Sequence, residues 1–157
     1  MLFLAFRIGD DRYAVEAQSV IEVIPLLGLK RIPNVPKGVA GIFNYRGEAV
    51  PAIDLAEMTA GQPAAERLST RILVVRLNID GCGLRLVGVI AEHATSMLQK
   101  RPEDFVETGI TPGTAPFLGP VLLDEHGLIQ LIQEQKLLSE ELRRVLFAPD
   151  LTANGTD

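Results

Sequence analysis

Alternating apolar and polar positions recur in short runs along the chain and predict β-strands. In the clearest run, Arg71 to Ile79, every second residue from Leu73 onward is a large aliphatic one. That period of two is typical of a strand with one buried face. The Gly-rich segment Asp80–Gly83 and a returning apolar run, Leu84 to Ala91, follow directly. The region therefore predicts a β-hairpin.

Three further pairs of apolar runs flank a turn signal and predict more hairpins. The pairs are Leu2–Ile8 with Arg12–Val15, Val39–Phe43 with Ala49–Leu55, and Val121–Leu123 with Leu128–Ile132. Pro51 lies inside one of these runs. Because proline has no backbone N–H to donate to a neighbouring strand, we expect Pro51 at an edge position or at a bulge. Near the end of the chain, apolar residues at i, i+4, i+7 and i+8 from Leu138 predict a C-terminal helix over residues 134–147.

Many short strands with turns every 8–12 residues or so are typical of a β-sandwich or barrel. The segment Ala60–Ser69 is rich in Ala, Gly, Pro and Gln and lacks a periodic apolar face. It is the best candidate for a boundary between two small β subdomains, residues 1–60 and 70–132. Each alone is marginal in size, so we expect their mutual packing to contribute to stability. The polar residues 151–157 are expected to form a disordered tail after a domain that spans residues 1–150.

Composition narrows the class of protein. The chain has 157 residues, of which 47% are hydrophobic and 5% aromatic, so its core must be aliphatic. The formal net charge of −5 argues against a nucleic-acid partner, which needs a basic face. A lone cysteine, Cys82, fits a reducing compartment. The uncharged run Ile110–Leu123 contains three prolines, so we expect a cytoplasmic protein without direct membrane insertion.

Several residues suggest catalysis or metal binding but have simpler interpretations. Asp124-Glu125-His126 lies in a predicted turn, where three neighbouring ligands do not make an enclosed metal site. Cys82 has no visible base or cationic neighbour that would activate a thiolate. Asp10-Asp11 and Asp54 lie at positions like those of a phospho-receiver domain, but the βα alternation of such a domain is missing. We therefore predict no catalytic residue, no metal and no cofactor.

Arg46 is the most informative charge, because it lies at a turn between two apolar strands. An Arg presented from a rigid hairpin suits carboxylate pairing and partner binding. The alternative is an exposed turn residue or an internal ion pair, for which Glu22 is the candidate partner. The residues alone leave these two interpretations equally open.

Ordered blocks in the first half of the chain resemble the CheW-like coupling proteins of bacterial chemosensory systems. Val20–Ile24 resembles the V-x-E-[IV] segment of that family, and Gly38–Gly47 resembles its G-[VIL]-x-N-L-R-G segment. The other matching blocks are Phe6–Val15, Ile32–Pro33 and Val50–Leu55 in the first half and, more loosely, Val87–Ile90, Phe117–Gly119 and Leu131–Leu138 in the second.

Two departures from the family pattern stand out. Tyr45 replaces a usual Leu, and Glu92-His93-Ala94 replaces a usual Asp. With these departures, the sequence resembles the coupling proteins of alternative pathways, such as the Wsp-type surface-sensing systems.

The resemblance implies a mainly β fold of two SH3-like five-stranded β-barrel subdomains packed together, with a C-terminal helix. It implies a scaffold without catalysis that couples the cytoplasmic tip of a chemoreceptor to the regulatory domain of a CheA-type histidine kinase at membrane receptor arrays. A helical receptor tip is expected to need an apolar groove with a few polar anchors. Carried over by motif, the receptor-binding residues are Val20, Glu22, Gly41, Asn44 and Arg46.

Two other functions stay open at this point. A small β-barrel enzyme would use Asp124, His126 or Cys82 and would collect them in one deep pocket. A regulatory-domain fragment of a CheA-type kinase would have the same fold, although Met1 directly before the first strand favours a free-standing protein. The resemblance does not locate the kinase surface beyond exposed residues at the barrel ends.

Overall fold

A computed structural model describes residues 1–26, 28–66, 68–110 and 115–147. Across this part of the chain, nine strands and two α-helices follow one another. In chain order they are β1 (Leu2–Ile8), β2 (Asp11–Glu16), β3 (Val20–Pro25), β4 (Val39–Tyr45), β5 (Glu48–Asp54), α1 (Leu55–Ala60), β6 (Thr70–Ile79), β7 (Gly83–Gln99), β8 (Leu118–Asp124), β9 (Gly127–Ile132) and α2 (Glu140–Leu146). The predicted tail, residues 151–157, lies outside the described residues.

All four hairpins predicted from the apolar pattern are present: β1–β2, β4–β5, β6–β7 and β8–β9 pair antiparallel. Pro51 occupies a position that its missing N–H tolerates. It faces Ile42 of β4, and the pairing of β5 with β7 begins one residue later, at Ala52. The backbone of Pro51 therefore has a strand on one side only.

The strands form two five-stranded units that share β7. Unit I contains β1, β2, β8, β9 and the end of β7, where Ser96 to Gln99 pair with β1. Unit II contains β3, β4, β5, β6 and the first part of β7, Gly83 to Glu92. Between the two parts His93 adopts φ 49°, and the register of β1 against β7 shifts there. This bulge redirects β7 from one unit into the other.

The expected mainly β architecture, with two five-stranded subdomains and a C-terminal helix, is thus confirmed. The subdomains are not consecutive, however. Two parallel pairings, β2 with β9 and β5 with β7, join strands on opposite sides of the expected boundary between residues 60 and 70. Such long-range parallel pairs leave no local signal in the sequence.

Buried side chains form three clusters in the described chain. The largest includes Leu4, Leu73 and Leu138, and it joins the outer faces of both units to the C-terminal segment. A second cluster around Phe43 and Ile72 fills unit II. The third, built from Phe3, Ala14, Leu122 and Ile129, is small and lies inside unit I. Most of the core therefore lies between the units, as their marginal individual size predicted.

The C-terminal helix is shorter than the expected span of residues 134–147. Residues Glu134–Lys136 form one 3₁₀ turn, and α2 begins only after Ser139. The Ser139 hydroxyl accepts a hydrogen bond from the Leu142 amide at 3.1 Å, which is the usual way in which a serine starts a helix. Leu142 then packs into the large cluster, in agreement with the apolar spacing.

Candidate functional site

The turn between β4 and β5 presents Arg46 to solvent in a fixed backbone conformation. Arg46 and Gly47 have φ values of 52° and 86°, the pattern of a type I′ hairpin turn. The Asn44 side chain stabilises this turn, because its Oδ1 accepts a hydrogen bond from the Gly47 amide at 2.8 Å. The turn is therefore rigid where its charged residue is exposed.

Glu22 of β3 lies beside this turn and connects to it twice. The Tyr45 hydroxyl donates to Glu22 Oε1 at 2.7 Å, and Arg46 Nη2 donates to the same oxygen at 3.0 Å. The Arg46 guanidinium also lies 5.3 Å from the centroid of the Tyr45 ring. Tyr45 is nearly buried, whereas the Arg46 side chain is 75% exposed. Glu22 thus lies between the hydroxyl of a mostly buried tyrosine and an exposed guanidinium.

The pKa values of Glu22 and Tyr45 are both shifted from their ordinary values. The pKa of Glu22 is lowered, first by the Tyr45 hydrogen bond and then by Arg46, because both stabilise the carboxylate. The pKa of Tyr45 is raised, mainly because its hydroxyl proton is held by Glu22. At neutral pH the site therefore contains a carboxylate and a guanidinium, with a neutral phenol between strands.

The other two receptor-binding residues expected from the resemblance are Val20 and Gly41. Both are packed against other parts of the fold. Val20 is half-buried and packs against the large cluster. Gly41 has φ 153°, and a Cβ there would approach the Lys30 carbonyl oxygen to 2.2 Å. The segment around Lys30 crosses β4 at this point through two backbone hydrogen bonds with Ile42. Gly41 therefore allows that segment to cover β4.

A groove lies on the outer face of the same hairpin. Its volume is about 470 Å³. One wall is the outward face of the hairpin, with Ile42, Ala49 and Pro51, and the other is the end of α2 with Leu146 and Phe147. Glu48 and Arg85 add charges at the groove. The hairpin that carries Arg46 thus also forms part of an apolar groove with polar residues beside it.

The structure brings Glu22, Asn44 and Arg46 together, and it adds Tyr45, which was not among the expected site residues. The sequence contained one signal for it, since Tyr45 stands where the resembled family usually has Leu. The contact itself joins residues 23 positions apart on different strands. Arg46 forms the ion pair with Glu22 and stays largely exposed, as one of the two interpretations expected, and its role in partner binding stays a prediction.

The residues considered for catalysis do not converge. Asp124 is held by Arg12 through two hydrogen bonds of 2.8 and 2.9 Å, which keep the pKa of Asp124 far below its usual range. The Cys82 thiol donates to the Phe147 carbonyl at 3.2 Å. Asp124 and His126 line one cavity and Cys82 another. Among the described residues, no group of three or more His, Cys, Asp or Glu side chains is placed to hold a metal ion.

Asp54, the third acidic position of the phospho-receiver comparison, has a structural role. It is buried and accepts hydrogen bonds from the amides of Ala56, Glu57 and Ala64. Burial is the main reason why its pKa is raised.

Comparison with known proteins identifies the family. The CheW-like domain model matches residues 2–142. A chemotaxis protein CheW of Klebsiella aerogenes is 31% identical over 142 residues, which cover 88% of this chain and 82% of that protein. One from Helicobacter pylori is 37% identical over 76 residues, 48% of this chain and 46% of that protein.

Among solved structures, the scaffolding protein TtCheW from Thermoanaerobacter tengcongensis has the same fold. Its TM-score is 0.76 at 20% identity, and the match covers 88% of this chain and 87% of that chain. The expected pair of SH3-like subdomains is confirmed by this likeness.

The fold places the chain in the class of proteins built from two five-stranded β units that share one strand. The matches specify the class further: the chain belongs to the CheW-like family. Its expected function, an adaptor that couples receptors to a CheA-type kinase in chemotaxis-like signal transduction, is confirmed at the level of this family. In the described residues no helix is long and apolar enough to span a membrane.

Proposed function

We propose that the β4–β5 turn and the neighbouring groove bind the cytoplasmic tip of a chemoreceptor, and that another face of the protein binds the regulatory domain of a CheA-type kinase. The observation that carries the receptor site is the pairing of a rigid, exposed Arg46 with an apolar groove on the same hairpin. A receptor tip is a helical hairpin, and helices are usually recognised by such grooves with a few polar anchors.

Glu22 and Arg46 are the polar anchors in this proposal. One Glu22 oxygen already accepts two hydrogen bonds inside the protein, so the carboxylate is fixed before a partner arrives. Arg46 uses one terminal nitrogen for Glu22 and keeps further N–H donors for acceptors on a receptor helix. Preorganised groups of this kind lose little conformational entropy on binding.

The kinase contact is proposed at exposed residues of the barrel ends, because a CheW-like regulatory domain would meet this chain barrel to barrel. Each contact alone is expected to be weak. Within an array, receptors tethered side by side raise the local concentration of binding sites, so weak contacts suffice. The protein is thus recruited to the membrane through receptors.

The two alternatives, a small β-barrel enzyme and a CheA regulatory-domain fragment, have less support. The candidate catalytic groups are dispersed, and the relatives reported above are named CheW.

The receptor site is tested by Arg46→Asp, which reverses the exposed charge and places it against Glu22. We expect binding of a soluble receptor-tip fragment to weaken by about tenfold or more in a calorimetric titration, as for a hot-spot arginine. Arg46→Ala should weaken it less. Lys136 is an exposed cation in the 3₁₀ turn before α2, outside the groove lining and the Glu22 cluster, and Lys136→Asp makes the same charge change there.

Circular dichroism of each variant checks the fold. A receptor affinity for Arg46→Asp equal to that of the unmodified protein would rule out this site, and equal losses for both variants would assign the effect to net charge.

A further inference from the structure

Unit I has a cleft on the side where its barrel is open, and the proposed function does not use it. The cleft has a volume of about 760 Å³. It lies between β1, the end of β7 and the turn from β8 to β9. Ala5 and Ser96 face each other across β1 and β7, and their small side chains leave the interior of the unit unfilled. The core below them is the smallest of the three clusters.

The inward faces of the strands turn from apolar to charged towards this cleft. On β1, Phe3, Ala5 and Arg7 share one face, and on β2 Arg12 shares its face with the buried Ala14. Arg7 and Arg12 are directly opposite each other in the β1–β2 ladder. Two like charges in that position repel each other unless anions separate them.

Only one of these arginines is neutralised by the protein itself. Arg12 is held by Asp124, and the two side chains are 17% and 12% exposed. In the described part of the chain, the Arg7 and Lys100 side chains have no hydrogen bond and no ion pair within 4.0 Å, although both line the cleft. The pKa of Asp104 is lowered mainly by its hydrogen bonds with Arg101 and, to a smaller extent, by the charge of Lys100. Neither cation therefore has a direct ion pair, although Glu92 is opposite Arg7 in the β1–β7 ladder and Asp104 lies near Lys100.

Two histidines and one carboxylate complete the polar lining. His93 reaches the cleft from the bulge of β7 with a left-handed backbone, a conformation that a non-glycine residue rarely adopts. His126 lines it from the β8–β9 turn, with Nε2 3.5 Å from the exposed Glu125. Beyond the Arg12–Asp124 pair, the residues that line the cleft include Arg7, Lys100 and one carboxylate, Glu125. The cleft is thus a positive site on a chain whose net charge is −5.

We infer that this cleft binds an acidic segment of a partner protein. Charge complementarity favours a negatively charged segment, because Arg7 and Lys100 can donate hydrogen bonds to carboxylates. The volume favours a segment over a single ion, since clefts of about 300–1,000 Å³ accept whole ligands. Met97, which is 52% exposed, adds apolar surface for the stems of acidic side chains. The site belongs to unit I and is separate from the Arg46 turn of unit II.

The test uses a fluorescein-labelled hexaglutamate peptide as the probe and measures its binding to the whole protein by fluorescence anisotropy. We expect saturable binding of hexaglutamate and none of hexalysine. The double variant Arg7→Glu/Lys100→Glu should weaken hexaglutamate binding by about tenfold or more, because attraction becomes repulsion. Arg7→Gln/Lys100→Gln, which removes the charges without adding repulsion, should weaken it by a smaller factor and guards against misfolding of the first variant.

The matched control is Lys37→Glu/Arg76→Glu, which makes the same change of net charge at exposed residues outside the cleft. Hexaglutamate affinity should change there by less than about twofold, since exposed charges at a distance are screened by salt. An equal loss in both double variants, or no hexaglutamate binding at all, would overturn the inference. Inorganic phosphate should displace the probe no better than sodium chloride of equal ionic strength. Specific displacement by phosphate would instead assign the cleft to a small anion.

Discussion

At the scale of single residues, the candidate receptor site depends on one hydroxyl group. The Tyr45 ring is buried in the core of unit II, and its hydroxyl emerges at Glu22. The leucine that the family usually has at this place would leave Glu22 with Arg46 as its only partner in the cluster. Tyr45 therefore holds the carboxylate of the ion pair in a fixed position.

Replacing this hydroxyl should change the ionisation of Glu22. In Tyr45→Phe the carboxylate loses the donor that contributes most to its lowered pKa, so the pKa of Glu22 should rise towards its ordinary value. Arg46 remains, so part of the lowering should persist. A carbon-detected NMR titration of the Glu22 carboxyl group measures this shift.

Tyr13→Phe is the control, because Tyr13 stacks against Phe6 in the large cluster, away from Glu22. The pKa of Glu22 should be the same in this variant as in the unmodified protein. A pKa of Glu22 that stays unchanged in Tyr45→Phe would show that the hydroxyl does not hold the carboxylate in solution.

At the scale of elements, Asp54 fixes the place where β5 ends and α1 begins. Its Oδ1 accepts the amides of Ala56 and Glu57 at 3.0 and 3.3 Å, and its Oδ2 accepts the amide of Ala64 at 2.9 Å. One buried side chain thus caps a six-residue helix and holds the connection that follows it. Short helices need such caps, because their packing alone is limited.

Removing this cap should destabilise the protein. Asp54→Ala leaves three backbone amides without their acceptor and should lower the free energy of unfolding by about 1–3 kcal/mol. Asp54→Asn should cost less, because its amide oxygen can still accept from Ala56 and Glu57 but its NH₂ group cannot accept from Ala64. Urea unfolding measures both changes.

Asp80→Ala, at an exposed turn, is the control and should leave the free energy of unfolding nearly unchanged. Equal stabilities of Asp54→Ala and the unmodified protein would contradict a structural role for the cap.

The elements also show what the sequence could predict. The hairpins were predictable, because turn residues such as Gly47 and strand alternation act over a few neighbouring positions. α1 was missed, because six residues are too few to show a helical period. The Glu22–Arg46 pair was anticipated, since both residues belong to recognisable motifs. The Tyr45 hydrogen bond was not, because it depends on how β3 and β4 approach each other across unit II.

At the scale of the whole molecule, the two units depend on each other for burial. The largest cluster of buried residues lies between them, and β7 contributes hydrogen bonds to both. The interior of unit I holds only a small cluster, which leaves room for the cleft. We therefore expect neither unit to be stable once the contact between them is lost.

This interdependence predicts a single unfolding transition. Leu73 is 1% exposed in the central cluster, and Leu73→Ala should lower the free energy of unfolding by about 2–5 kcal/mol through lost burial and the cavity left behind. Leu84→Ala, at a position that is 64% exposed, should change it by less than about 0.5 kcal/mol. During urea titration, NMR signals from β4–β5 in unit II and from β8–β9 in unit I should disappear at the same urea concentration in both variants, since a cooperative molecule loses all probes together. Separate midpoints for the two hairpins would show that the units unfold independently, and the shared β7 would then be only a linker.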